Sequence, residues 1–151
     1  MMKTIRIGVF GLSRGASFFE NILANNGEIV AVCDSRPQAR QAAVDRLGSD
    51  VAAYETFDEF IEHPMDAVLL ANFFPEHAPY AIRALEKNIH VLSECTSNGT
   101  MAEGVALVRA AEKSNAIYML AENYPFMRFN QEMKRVYDGG TLGKIMYAEG
   151  E

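Results

Sequence analysis

The chain has 151 residues, enough for one domain with a substantial core, since roughly two-thirds of the unfolded surface can be buried at that size. Its formal net charge of -6, with acids and bases interspersed and no Lys/Arg cluster, excludes an electrostatic footprint for nucleic acid or an anionic membrane surface. No apolar run approaches the ~20 residues of a membrane helix, Met1-Met2-Lys3-Thr4 leads into a strand pattern rather than a signal-peptide core, and Cys33 and Cys95 have neither disulfide-framework nor metal-ligand spacing. The expectation is a cytoplasmic protein with reduced thiols that works on a small molecule without a metal.

Taken in chain order, residues 5–10 form the first short apolar run and read as a strand. A small-residue turn follows, Gly11-Leu12-Ser13-Arg14-Gly15-Ala16, opening a predicted helix over 15–26. Residues 29–33 read as a second strand, ending in Asp34. Pro37 can open a helix over 36–47 that Gly48 stops, and Thr56-Phe57-Asp58-Glu59 has the spacing of a capping box. A strand over 67–70 precedes a helix within 76–87, whose start Pro79 places near Ala78. A strand over 90–92, a second capping box at Thr100-Met101-Ala102-Glu103 and a strand over 117–120 complete the series. The strands are continuous apolar runs rather than alternating ones, which is how strands look when both faces of a parallel sheet are covered. The fold expected is a doubly wound parallel α/β sheet of the Rossmann type, three layers α/β/α, with strand order 3-2-1-4-5-6 and ligand at the carboxyl ends of the strands.

The first such end carries the chemistry of a phosphate site: glycines let the backbone turn sharply and approach a pyrophosphate, and free N–H groups favour its charge. Against G-x-G-x-x-G/A, Gly11 and Ala16 match the first and third positions, and Ser13 stands at the second, with Arg14 and Gly15 as neighbours that can compensate. The spacing from this turn to Asp34, about twenty residues, is that of an acid accepting hydrogen bonds from the adenosine ribose, which points to NAD. Arg36 leaves NADP open, because a guanidinium there can meet a 2'-phosphate, stack on adenine, or merely be a solvated charge at a helix start.

Together with "AVCD", the segment "LLANFFPEHAPYAIRALEKNIHVLSE" resembles the glucose-fructose oxidoreductase and inositol dehydrogenase family, the Gfo/Idh/MocA group, with its pattern "H...A..AL..G.HV..EKP" matched by His77, Ala81, Ala84, Leu85, His90, Val91 and Glu94. "AENYPFMRF" and "GTLGKIMYAEGE" resemble that family's crossing into a second domain. The resemblance implies NAD(P)-dependent hydride transfer with a sugar, polyol or related hydroxy compound. It sets Ala71, Asn72 and Phe73 beside the dinucleotide, His77 near it, Glu94 near the nicotinamide ribose, and Asn123 on the cofactor side after the sixth strand. For His77 a helix-start histidine satisfied by nearby backbone is the competing reading.

One position departs from the family pattern. Where the family has Glu-Lys-Pro, this chain has Glu94-Cys95-Thr96, and a thiol, short and mostly neutral near pH 7, cannot hold or move the carbinol proton as an ammonium does. No catalytic residue is assigned on this chain, and Cys95 is expected in the cofactor cleft. The domain expectation is a nucleotide-binding domain over 1–122 and, over 123–151, a crossover helix and a first strand (144–148) of a truncated second domain that would supply the substrate pocket and a homo-oligomer interface. A non-catalytic dinucleotide-binding sensor or scaffold is the alternative, because fold alone does not prove catalysis.

Overall fold

The structure is a computed structural model and describes residues 3–149. Its strands are β1 (Ile5–Phe10), β2 (Gly27–Cys33), β3 (Ala52–Tyr54), β4 (Ala67–Leu70), β5 (His90–Ser93) and β6 (Tyr118–Leu120). They form one sheet in the order β3-β2-β1-β4-β5-β6, every neighbouring pair parallel. The helices are α1 (Leu12–Gly15), α2 (Phe19–Ala24), α3 (Pro37–Leu47), α4 (Phe57–Phe60), α5 (His77–Glu86), α6 (Met101–Lys113) and α7 (Arg128–Asp138).

The period-two geometry of a strand explains why these runs are apolar at every position. Val68 and Leu70 of β4 join a buried cluster with Phe57, Phe60, Leu85 and Leu107, contributed by α4, α5 and α6. Leu69, between them, points to the opposite cluster with Val9, Phe19, Val32 and Ala43, which α2 and α3 cover. The three-layer doubly wound arrangement follows, with the carboxyl ends of the strands gathered along one rim.

Local signals act as their chemistry requires. Pro37 is the first residue of α3, and the side chain of Thr100 accepts from the Glu103 N–H while Glu103 returns the bond to the Thr100 N–H. Thr56 accepts from the Glu59 N–H at 3.3 Å to start α4. Two expectations, the helix over 15–26 and the strand over 144–148, need correction. The helix expected over 15–26 starts at Leu12 and is broken by a 3-10 turn, Ala16–Phe18, beyond which Phe19 enters the core at 1% exposure. Helix α5 begins at His77, next to the expected start near Ala78, because Pro79 lies in the first turn, where a missing N–H costs no intrahelical bond. The strand expected over 144–148 does not form, since a lone strand without a partner has nothing to satisfy its backbone.

The chain divides into two compact units, 1–121 and 122–151. The second contains the 3-10 turn Tyr124–Phe126 and α7, which carries Phe129, Met133 and Tyr137 at i, i+4 and i+8 and is laced by Lys134–Asp138 and Glu132–Arg135 ion pairs at 2.7 and 2.6 Å. No helix among the described residues is long and apolar enough to cross a membrane.

Candidate functional site

A cleft of about 1040 Å³ opens in the first unit at the carboxyl ends of β1, β2, β4 and β5. Its floor is the turn after β1. Gly11 sits at φ 88°, and a Cβ there would lie 2.4 Å from the backbone of Ala71 and Asn72, so only glycine lets the turn pass between β2 and β4. Hydrogen bonds from Gly11 N–H to the Cys33 carbonyl (2.9 Å) and from Ala71 N–H to the Phe10 carbonyl (2.8 Å) fix it there. The close helix-to-strand approach belongs to Gly15, whose Cβ would meet Val9 Cγ1 at 2.7 Å. Gly15 and Ala16 stand behind the cleft rather than in its lining, and the Ala16 carbonyl accepts from Arg46 at 3.0 Å.

Asp34 anchors the β2 side. Its side chain is 8% exposed, and its carboxylate accepts from Leu12 N–H (2.8 Å), Arg36 N–H (3.0 Å), Arg36 Nε (2.9 Å) and Arg36 Nη2 (2.9 Å). Burial works to raise its pKa, but the Arg36 side chain and the two backbone donors outweigh it and hold the carboxyl down at about 2. Arg36 Nη2 also donates to Ser13 Oγ at 2.8 Å, so the serine at the fingerprint's second position is tied to the β2 turn. Beside it, desolvation pushes the buried Cys33 thiol up to about 12, which makes it inert core.

Across the cleft, Arg14 Nε and Nη2 both reach Glu94 Oε1 at 2.7 Å, and Glu94 Oε2 accepts from the Cys95 N–H at 3.3 Å. Cys95 lines the cleft beside them, and the Cys95–Thr96 peptide is cis. His77, 1% exposed, joins the two loops above β4 and β5: Nδ1 lies 2.8 Å from the Glu94 carbonyl and 2.9 Å from that of Thr96, and Nε2 lies 3.2 Å from that of Asn72. Both ring nitrogens are therefore engaged by backbone, and the imidazole acts as a staple of the cleft wall. Ala71, Asn72 and Phe73 line the same wall, and Asn72 Oδ1 is buried without a hydrogen-bond partner. Asn123 lies in the other unit, where its N–H donates to Glu122 Oε1 at 2.8 Å.

Sequence reasoning missed an aromatic group in the lining. Phe10, Phe57 and Tyr80 come from β1, α4 and α5, with ring centroids 4.6 to 5.0 Å apart, and Arg83 lies over Phe57 at 4.9 Å while pairing with Asp58 at 2.7 Å. Only the placement of Phe10 at a strand's carboxyl end could have signalled it.

A glycine turn, an acid at the end of the second strand and an orphaned amide acceptor in a cleft of this size together suit a nucleotide with a diol and a pyrophosphate. Residues 5–122 match the model of the family described as "Oxidoreductase family, NAD-binding Rossmann fold". The chain belongs to this family. Similar relatives include a glycosyl hydrolase family 109 protein of Saccharopolyspora erythraea, 28% identical over 98% of this chain and 35% of its own length. The myo-inositol 2-dehydrogenase of Thermotoga maritima is 29% identical over 93% of this chain and 42% of its own length. Among solved structures, scyllo-inositol dehydrogenase of Lactobacillus casei with NAD(H) and scyllo-inositol is 26% identical, with a TM-score of 0.86 over 95% of this chain and 43% of that one. The chain thus spans well under half the length of these relatives. As a member of this family it carries the NAD-binding fold, with the fingerprint's second glycine replaced by Ser13.

Proposed function

We propose that this chain is the cofactor-binding part of an NAD-dependent oxidoreductase that moves a hydride between nicotinamide and a sugar, polyol or related hydroxy compound. The observation that carries the reading is Asp34, buried at the carboxyl end of β2 and hydrogen-bonded to the turn that Gly11 opens. When bound, the nicotinamide supplies the hydride acceptor or donor, and the residues of this chain bind and orient. The N–H groups of Ser13 and Arg14, first-turn donors that a four-residue helix cannot satisfy, face the pyrophosphate. Asp34 takes the adenosine ribose, the Ala71-Asn72-Phe73 wall takes the nucleotide's flank with Asn72 Oδ1 accepting from it, and Glu94, held by Arg14, takes the nicotinamide ribose. Gly15 and Ala16 support the turn from behind.

The cations lining the cleft, among the described residues, are Arg14, Arg36 and Arg83, which stay protonated and cannot shuttle a proton. Acid/base work therefore belongs to a second domain outside this chain, which also supplies the substrate pocket and a homo-oligomer interface in a cytoplasmic protein. The sugar or polyol class is supported by the names of the relatives, myo-inositol and scyllo-inositol dehydrogenases and a glycosyl hydrolase. Calorimetric titration with NADH tests the reading: saturable binding is expected, and no heat or thermal shift at millimolar NADH would overturn it.

A further inference from the structure

Two large apolar side chains, Phe73 and Phe74, follow β4 and line the cleft while remaining 63% and 55% exposed. Adjacent aromatic surface held open inside a cleft marks a contact kept for a ligand. The loop that carries it is built rather than loose. Glu76 N–H donates to the Phe73 carbonyl at 3.0 Å, Thr96 Oγ1 donates to the Phe74 carbonyl at 3.3 Å, and the two rings meet edge to face with centroids 5.1 Å apart. Phe73 belongs to the wall given above to the nucleotide's flank. Phe74 stands one ring beyond it, joined through Thr96 to the loop of Cys95, the position at which the family pattern has its lysine. The charges of the cleft run against an anion here. Among the described residues each arginine lining it is engaged by a carboxylate, Arg14 by Glu94 and Arg83 by Asp58 at 2.7 Å and Arg36 by Asp34 at 2.9 Å. Glu76 adds a further acid to the lining, and Cys95 brings no cation.

We propose that Phe74 is a substrate-specificity residue, and that the compound oxidised here is an uncharged polyol or related hydroxy compound carrying an aromatic ring beside its carbinol, which packs on Phe74. The inference rests on the hydride-transfer reading above and names the substrate class of that same site. The carbinol carbon gives its hydride to NAD and its hydroxyl proton is released, which leaves a carbonyl. A ring seated on Phe74 extends the edge-to-face pair that Phe73 begins, and it removes from water an apolar surface that nothing else in this part of the cleft covers. A carboxylate beside the same carbinol would face Glu94 and Glu76 with no arginine free to pair with it, which is the costly arrangement for a charge.

The test is steady-state kinetics of the full-length oxidoreductase with NAD on 1-phenylethane-1,2-diol, on propane-1,2-diol, which has a methyl in place of the ring, and on mandelate, which has a carboxylate in place of the CH2OH group. Wild type should favour the phenyl diol over propane-1,2-diol by ~10- to 100-fold in kcat/KM, the gain from burying one ring against an aromatic face. It should favour the phenyl diol over mandelate by at least ~10-fold. Phe74→Ala, at an exposed position that folding tolerates, should bring the two diols within ~3-fold of each other and leave the NADH dissociation constant within ~3-fold of wild type. Phe74→Tyr, which keeps the ring face, should retain the preference. A diol ratio unmoved by Phe74→Ala, or no use of the phenyl diol by a protein that binds NADH, would overturn this inference alone. So would a loss of NADH affinity as large as the loss of phenyl diol turnover, which would give the ring to the nicotinamide. Failure of the wild type to bind NADH would overturn the proposed function and this inference with it.

Discussion

Gly11→Ala is the sharpest test of how the cleft is built. At φ 88° an L side chain enters the left-handed half of the map, at a cost of ~1–2 kcal/mol. The new methyl would also lie 2.4 Å from the Ala71 carbonyl group and the Asn72 nitrogen, which are backbone of β4's exit and cannot rotate away. Displacing them adds the ~1–3 kcal/mol typical of overpacking, so the variant should lose ~2–5 kcal/mol, a large share of an ordinary domain's stability. Gly8→Ala is the control: its methyl would meet Phe60 Cζ at 2.6 Å and Met65 Sδ at 2.7 Å, the ends of side chains that can shift. It should cost less than Gly11→Ala, within ~1–3 kcal/mol. Urea unfolding followed by far-ultraviolet circular dichroism reads both, and the Gly11 variant should unfold at least ~1 M earlier than wild type. A loss below ~1 kcal/mol, or one smaller than that of Gly8→Ala, would show that the turn does not pass between β2 and β4 as described.

Asp34→Ala should weaken NADH by ~5- to 150-fold, the loss of one to two charged hydrogen bonds, and an unchanged dissociation constant would move the ribose site elsewhere. The same carboxyl makes stability depend on acid. Its folded pKa of about 2 lies below the ordinary ~3.9, so its contribution is complete above about pH 4 and is lost as pH falls toward 2. Asp34→Asn should flatten the stability curve across that window by at most ~2 kcal/mol, leaving the share of Asp66, which Arg6 depresses in the same direction; an unaltered acid limb would refute the assignment. Thiol titration of the folded chain should modify Cys95 alone, with Cys33 reacting only on unfolding, and equal rates for the two would contradict the burial of Cys33.

The sheet was legible in the sequence because a strand covered on both faces has little freedom of composition: Val68, Leu69 and Leu70 are all apolar since they serve two clusters in alternation. β3 left no such trace, as Ala52-Ala53-Tyr54 is too short for a pattern, and the residues 144–148 carried strand composition without a partner to pair with. The turn, Asp34 and Glu94 were legible for a similar reason, each standing at the carboxyl end of an apolar run. What the sequence does not show is convergence. Ser13 and Arg36 are 23 residues apart and Arg14 and Glu94 are 80 apart, yet each pair meets within 2.8 Å. Whether Arg36 is a solvated helix-start charge or a cap on Asp34 depends on its rotamer and on the depth of Asp34, and neither is a property of spacing.

Cys95 is the position where the chain parts from the family pattern, and the cleft narrows what can stand in for the missing ammonium. His77 has both ring nitrogens against backbone carbonyls and so acts as a staple, while Tyr80, whose pKa burial raises with Glu76 adding to it, keeps its phenol proton near neutral pH, is not a base there, and packs against Phe10 and Phe57. The three arginines do not titrate in range. The Cys95 thiol offers one weak donor where the family has an ammonium with three. In the full-length oxidoreductase proposed above, Cys95→Ala should therefore leave kcat within ~10-fold of wild type, whereas deleting a true acid or base costs ~10²–10⁴-fold. Steady-state turnover alongside NADH titration separates the cases: a fall in kcat of that larger size with NADH affinity unchanged would show that the thiol does chemistry at the lysine's position and that the proton does not pass through the second domain.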